Sequence, residues 1–104
     1  MMGATGRGHD VRRYRVEGRV QGVGFRWWTR KTATSLGLCG RVRNLADGSV
    51  EVRVAGPADV LSTLETELQR GPGSAKVASL ERCDVGDRLR EEAAGWTSFE
   101  IDRE

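Results

Sequence analysis

Hydrophobic and polar residues alternate along five stretches of the chain, and each alternation predicts a half-buried β-strand. The pattern is clearest in the third stretch, where Val50, Val52 and Val54 share one parity. The fourth stretch is irregular because Val77 and Leu80 differ in parity, so it predicts a β-bulge. The five predicted strands cover about Val11–Val20, Cys39–Leu45, Val50–Ala55, Lys76–Val85 and Ser98–Asp102.

Two further stretches repeat their apolar residues at helical spacing. The first helix is predicted from about Phe25 to Ser35. The second begins at Pro57, which suits a first helical position, and runs to about Gln69 before Gly71-Pro72-Gly73 ends it. Between Gly86 and Gly95 the chain is polar, and we expect a connection there with a short helical turn around Arg90 to Ala94.

The order of the predicted elements is strand, helix, strand, strand, helix, strand and one final strand. Ala46-Asp47-Gly48 is a strong signal for a tight hairpin between the second and third strands. With right-handed crossovers, this order favours an α+β fold of the ferredoxin-like β-α-β-β-α-β type: an antiparallel sheet with two helices on one face and an extra C-terminal strand. The 104 residues fit one domain, predicted over 11–104 after a loose tail over 1–10.

The charge balance argues against a nucleic-acid or membrane partner. Seventeen basic and fifteen acidic residues give a net charge of only +2, so no general affinity for polyanions is expected. Arginines crowd the first half of the chain, and we interpret Arg12, Arg13 and Arg15 as a solvated strand face. No run is long and apolar enough to span a membrane. Cys39 and Cys83 form no metal-type or disulfide pattern, which favours reduced thiols and a cytoplasmic location.

The first strand gives way to the first helix through three glycines, in the stretch Gly18-Arg19-Val20-Gln21-Gly22-Val23-Gly24-Phe25-Arg26. Backbone N–H groups in such a turn are not yet committed to helix hydrogen bonds and can hold a phosphate. Arg26, in the first helical turn, could grip two phosphoryl oxygens with its planar fork. The predicted phosphate site consists of Arg26 together with Gly18, Arg19, Val20, Gln21, Gly22, Val23 and Gly24.

Two familiar phosphate motifs fail the comparison with this loop. The nucleotide P-loop needs lysine and then serine or threonine after its last glycine, but Gly24 is followed by Phe25-Arg26. The dinucleotide fingerprint needs a third glycine where Trp27 stands. Trp27 lies off the apolar stripe of its helix, and we interpret it as a partly exposed aromatic packed on its neighbours, with substrate contact as the alternative.

The stretch Gly-Arg-Val-Gln-Gly-Val-x-Phe-Arg closely resembles the signature of the acylphosphatase family. Gly40-Arg41-Val42-Arg43-Asn44 and Asp47-Gly48-Ser49-Val50-Glu51 are similar to the family's second strand, active-site asparagine and hairpin. The resemblance covers Val11 to about Ile101, although the residue before Asp47 is alanine where the family usually has proline. It implies a ferredoxin-like fold and hydrolysis of acyl phosphates without a metal.

Covalent and metal-assisted routes to phosphate hydrolysis find little support in the residues. A cysteine phosphatase needs arginine six residues after its cysteine, but Leu45 follows Cys39 at that spacing. Leu89 follows Cys83 in the same way. The single histidine, His9, lies in the predicted tail, and the carboxylates do not cluster as metal ligands do. We therefore expect no metal and no cofactor.

Direct attack by water remains, with Arg26 and the loop amides holding the phosphorus atom and Asn44 placing the water. An acyl phosphate suits such a site because its carboxylate leaving group, whose conjugate acid has a pKa of about 4, needs no general acid. Arg26 and Asn44 are the predicted catalytic residues. The predicted partners are a small acyl phosphate and inorganic phosphate, the latter as product and competitor, and we expect a monomer.

Two other classes of function compete with this hypothesis. A non-catalytic acylphosphatase-like module would bind phosphate in a regulatory or carrier-binding role without turnover. An RNA-binding ferredoxin-like domain would carry aromatic residues on its central strands. The third strand instead offers valines, and the fragment Gly22-Val23-Gly24-Phe25, which faintly resembles an RNA-binding motif, follows the first strand.

Overall fold

The structure, a computed structural model, describes residues 9–103. Residues 1–8 of the predicted tail lie outside this range, and the first strand begins at Asp10. The elements in chain order are β1 (Asp10–Arg19), α1 (Phe25–Ser35), β2 (Cys39–Asn44), β3 (Val50–Gly56), α2 (Ala58–Arg70), β4 (Lys76–Cys83), α3 (Asp87–Ala93) and β5 (Phe99–Ile101).

The strands form one sheet in the order β4-β1-β3-β2-β5. β3 lies between β1 and β2 and is antiparallel to both, and β4 is antiparallel to β1. This arrangement confirms the predicted ferredoxin-like fold. The final strand changes one part of the prediction, because β5 pairs parallel to β2. The chain crosses from the β4 edge to the β2 edge before it forms β5, so the sheet is mixed rather than wholly antiparallel.

One face of the sheet packs against α1 and α2 and forms the core. Alternation along β1, β2 and β3 buries one set of side chains there: Tyr14, Val16, Val42, Val50, Val52 and Val54. The two helices bury their own apolar stripes against this set: Phe25, Thr29, Ala33, Leu61, Leu64 and Leu68. Full burial of a large apolar side chain contributes about 1.5 to 3 kcal/mol, so this layer holds both helices against the sheet.

The short helical turn expected around Arg90 to Ala94 is found as α3, which begins earlier, at Asp87, and ends at Ala93. It is a seven-residue helix, and it lies over the second face of the sheet. The guanidinium of Arg53, on that face of β3, donates to the carboxylate of Glu92 at 3.1 Å. Ala93 lines a cavity together with Cys39 and Ala55. Few apolar residues are needed on so short a helix, which is why its pattern is weak.

The predicted bulge in the fourth strand is confirmed. Glu17 pairs with Ser79 whereas Gly18 pairs with Val77, so Ala78 is the extra residue on β4. Gly18 has a φ of 131°, and a Cβ built on it would lie 2.1 Å from the carbonyl oxygen of Lys76. Glycine is required at this position by the close approach of β4.

Arg12 corrects the interpretation of a solvated arginine face. It shares the parity of Tyr14 and is only 8% exposed, because it points toward α2. Its guanidinium donates to the hydroxyl of Tyr14 at 3.2 Å and pairs with Glu65 at 3.4 Å. Arg13 and Arg15 do lie on the second face of the sheet, where they are half-buried and pair with carboxylates.

Candidate active site

The predicted catalytic elements meet at one edge of the sheet. β1, β2 and β5 run in the same direction, so their C-terminal ends lie at the same edge. In the ladder, Val50 stands between Val16 of β1 and Asn44 of β2. The turn that follows β1, the first turn of α1 and Asn44 are therefore neighbours around this edge.

The turn between β1 and α1, which we call the phosphate loop, covers residues 20–24. Gly22 and Gly24 have φ values of 75° and 80°, a left-handed conformation that favours glycine. A Cβ built on either residue would meet no atom within 4 Å, so the backbone conformation and not crowding accounts for these glycines. Within residues 9–103, the N–H groups of residues 21–27 donate to no protein acceptor, so they are free to bind an oxyanion.

The predicted phosphate-binding stretch is divided between two elements. Gly18 and Arg19 lie inside β1 and pair with β4. The side chain of Val20 is buried in the core at 1% exposure. Only the part from Gln21 to Gly24 lies in the turn with its amides unpaired.

Arg26 is the second residue of α1 and is half-buried. Among residues 9–103 no carboxylate lies within ion-pair distance of its guanidinium. It lines a cavity of about 420 Å³ together with Trp27, Ile101 and Arg103. Trp27 is 64% exposed, and the guanidinium of Arg30 lies 5.3 Å from the centre of its ring. Arg26 therefore carries a positive charge that the described part of the chain leaves available to a ligand.

Asn44 is the last residue of β2, and its backbone position is set by its pairing with Val50. Its side-chain oxygen Oδ1 is buried and has no hydrogen-bond partner among the described residues. An acceptor left unpaired in this way costs about 1 to 3 kcal/mol, so most buried polar groups in proteins are paired. If Oδ1 were exposed to solvent, it would carry no such penalty, because water would accept the role of partner. Beside the phosphate loop, an unpaired acceptor is suited to accept a hydrogen from a bound water.

Gln21 contributes a side chain whose contacts the sequence analysis missed. Its Nε2 donates to the carbonyl oxygens of Leu45 and Ser49, each at 2.8 Å. Only the backbone amide of this residue was predicted to take part in the site. A primary amide inside a glycine loop carries two side-chain donors, which is the signal that could have indicated such a contact.

The part of the chain that the structure describes, 9–103, holds no group of three His, Cys, Asp or Glu side chains placed to bind a metal ion. Cys39 and Cys83 are both free thiols. No helix within the same range is long and apolar enough to cross a membrane.

Comparison with known proteins gives one family. The acylphosphatase family profile matches residues 12–101. An acylphosphatase of Koribacter versatilis is 52% identical over 73 residues, which are 70% of this chain and 66% of that relative. An acylphosphatase of Rhizorhabdus wittichii is 45% identical over 97 residues, 93% of this chain and 95% of the relative. The crystal structure of acylphosphatase from Bacillus subtilis superposes with a TM-score of 0.73 at 32% identity, covering 89% of this chain and 98% of that one. The resemblance found in the sequence is thus confirmed, and the chain belongs to the acylphosphatase family.

Proposed function

We propose that this protein hydrolyses acyl phosphates to a carboxylate and inorganic phosphate by direct attack of water on phosphorus. Support comes from the end of the sheet where β1 and β2 finish. The phosphate loop, with its unpaired amides, follows β1 and leads into α1, which carries Arg26 in its first turn, and Asn44, with its unpaired Oδ1, is the last residue of β2. Membership of the acylphosphatase family supports the same reaction.

The loop amides and Arg26 would bind the phosphoryl group. The amides lie at the N-terminus of α1 without protein acceptors among the described residues, and the helix dipole favours negative charge there. Arg26 adds a planar pair of donors that matches two phosphoryl oxygens, and charge-assisted hydrogen bonds of this kind are about twice as strong as neutral ones. Both sets of donors recognise the oxyanion, so the identity of the acyl group should have little effect on turnover.

Asn44 would place the water that attacks. Its Oδ1 accepts one hydrogen of the water, which turns a lone pair of the water oxygen toward phosphorus. The new bond from the water oxygen to phosphorus forms while the bond from phosphorus to the acyl oxygen breaks. The electron pair of that bond leaves with the carboxylate, and the proton of the water passes to a phosphoryl oxygen. The leaving carboxylate is a weak base, with a conjugate-acid pKa of about 4, so no general acid is required.

The test is hydrolysis of benzoyl phosphate in the presence of excess chelator, with inorganic phosphate added as inhibitor. We expect full activity with chelator and competitive inhibition by phosphate. If the reaction is run in water enriched in oxygen-18, the label should enter inorganic phosphate and not benzoate. Activity that disappears with chelator and returns with a divalent ion would contradict the proposal, as would label in benzoate. Phosphate binding without any turnover would instead indicate a non-catalytic phosphate-binding module.

We also propose that the protein acts as a cytoplasmic monomer. Each proposed catalytic group comes from the same chain, so one copy can supply the whole site. The free thiols of Cys39 and Cys83 suit a reducing compartment. Light scattering coupled to size exclusion should give the mass of one chain at concentrations where the enzyme is active, and a dimer mass would contradict this part of the proposal.

A further inference from the structure

The side chain of Gln21 leaves the phosphate loop and ends at the hairpin between β2 and β3. Its Nε2 donates to the carbonyl oxygens of Leu45 and Ser49, each at 2.8 Å. Leu45 directly follows Asn44, and Ser49 directly precedes Val50, the ladder partner of Asn44. Both hydrogens of the Gln21 amide therefore bond to the backbone, one beside Asn44 and the other beside its ladder partner Val50.

The two carbonyl groups also belong to the closure of the hairpin. The N–H of Leu45 donates to the carbonyl oxygen of Ser49 at 2.8 Å, and the N–H of Gly48 donates to that of Leu45 at 3.1 Å. A carbonyl oxygen has two lone pairs, so each can accept the Gln21 amide as well. The hairpin is thus closed by its own bonds, and Gln21 adds a connection from it to the phosphate loop.

The side chain of Asn44 has few contacts of its own that could fix its position. Its Oδ1 makes no hydrogen bond within the described residues, so the position of the amide depends on the backbone at the end of β2. A displacement of about 1 Å between reacting groups can cost about 100-fold in rate. The reaction therefore requires a fixed distance between the phosphate loop and the end of β2.

We propose that Gln21 is a positioning residue that fixes Asn44 relative to the phosphate loop. It acts through Asn44 and touches neither the substrate nor the water with its side chain. The inference rests on the proposed function, because it assumes that Asn44 places the attacking water. It assigns to the side chain of Gln21 a role separate from that of its backbone amide.

The first variant is Gln21→Met, which keeps the length of the side chain and removes both donors. We expect kcat to fall about 10-fold or more because the end of β2 is no longer held, by the same positioning argument. The dissociation constant for inorganic phosphate should stay within about 2-fold of the parent value, because the loop amides and Arg26 remain. Ser74→Ala is the matched control. It removes one hydrogen bond to the loop, from Ser74 Oγ to the carbonyl oxygen of Val23 at 2.8 Å, without touching the hairpin, and should leave kcat within about 2-fold.

The second variant, Gln21→Glu, serves if Gln21→Met does not fold. The ionised carboxylate cannot donate, whereas the protonated acid regains one donor. Its kcat relative to the parent should therefore rise as the pH is lowered. A constant ratio across the pH range in which both proteins are folded would contradict the proposal.

A double-mutant cycle with Asn44→Ala separates positioning from general destabilisation. If Gln21 acts through Asn44, Gln21→Met should change kcat by less than about 2-fold once Asn44 is alanine. An equal loss in both backgrounds, or a loss of phosphate affinity as large as the loss of kcat, would overturn the inference. If Asn44→Ala lowers kcat but Gln21→Met does not, the inference alone is wrong. If Asn44→Ala turns over normally, the proposed function is wrong and the inference with it.

Discussion

Two arginines near the N-termini of the two long helices show how differently the same residue type is used. Arg12, beside the start of α2, donates to the hydroxyl of Tyr14 at 3.2 Å and to the carbonyl oxygen of Ala58 at 3.5 Å. It also pairs with Glu65. Arg26, at the start of α1, has no carboxylate partner within residues 9–103. Arg12 is therefore a structural cross-link, whereas the charge of Arg26 is available to the phosphoryl group that we propose as its ligand.

At the Arg12 end of the molecule, the charge of the arginine is paired with a carboxylate of the same chain. Glu65 accepts the hydroxyl of Tyr14 at 2.8 Å and the guanidinium of Arg82 at 2.8 Å. Burial alone would raise the pKa of Glu65, but the hydrogen bonds from Arg82 and Tyr14 and the charges of Arg82 and Arg12 outweigh it and lower the pKa below its ordinary value. Burial is also the main cause that raises the pKa of Tyr14. The Glu65 carboxylate is shared by Tyr14, Arg12 and Arg82, so the cluster stabilises the fold, although the buried Nε of Arg12 has no hydrogen-bond partner among the described residues.

Removing Arg26 should have the largest effect on activity. Arg26→Ala should lower kcat/KM for benzoyl phosphate about 1000-fold, the upper range for loss of one donor to a developing charge. Arg26→Lys should recover only part of this loss, because lysine keeps the charge but not the planar fork. Arg30→Ala is the matched control one turn further along α1, and it should stay within a few-fold of the parent. A nearly normal Arg26→Ala enzyme would show that the unpaired charge is not the ligand site.

Asn44→Ala should have the next largest effect on activity, and this effect should be on kcat and not on KM. We expect kcat to fall about 100-fold because the attacking water loses its acceptor. KM should change little, because the loop amides and Arg26 still bind the phosphoryl group. Steady-state kinetics on a variant shown to be folded by circular dichroism would check this. A rise in KM with normal kcat would place Asn44 in substrate binding instead.

Glu65→Gln tests the structural role of the Arg12 cluster, and we expect it to change stability and not activity. It should lower the free energy of unfolding by about 1 to 3 kcal/mol at pH 7, because Tyr14, Arg12 and Arg82 lose their charged partner. Because the pKa of Glu65 is lowered in the folded protein, this stabilisation is complete above its unfolded pKa of about 4.3 and is lost as the pH falls through the lowered value. Urea unfolding should therefore show a difference between variant and parent at pH 7 that shrinks below about pH 4. Equal stability at pH 7, or a fall in kcat of the folded variant, would contradict the division between the two ends.

The fold was predictable because most of its strands and both of its long helices carry a strong period. Val50, Val52 and Val54 alternate with polar residues, and all three are buried as expected. Arg12 could also have been placed correctly, since it shares the parity of Tyr14 and that parity faces the helices. The full extent of α3 and the parallel pairing of β5 were not predictable, because a seven-residue helix carries a weak pattern and local sequence does not specify the direction of an edge strand.

The candidate site was predictable only in the parts that a local motif encodes. Arg26 and the glycines of the phosphate loop lie within a few residues of one another, and Asn44 follows in a second short motif. The bonds from Gln21 to Leu45 and Ser49 join residues 24 and 28 positions apart, so no local period reports them. The missing partner of Arg26 was equally hidden, because an ion pair can join residues far apart in sequence, as Arg12 and Glu65 do.

The division of labour between Arg26 and Asn44 is tested most directly by calorimetric titration of inorganic phosphate into Arg26→Ala, Asn44→Ala and the parent protein. Phosphate carries the oxyanion without the acyl bond, so its affinity reports binding apart from turnover. We expect Arg26→Ala to lose at least about 10-fold in phosphate affinity and Asn44→Ala to stay within about 2-fold of the parent. Equal losses in the two variants, or parent-like affinity in Arg26→Ala, would contradict this division of labour.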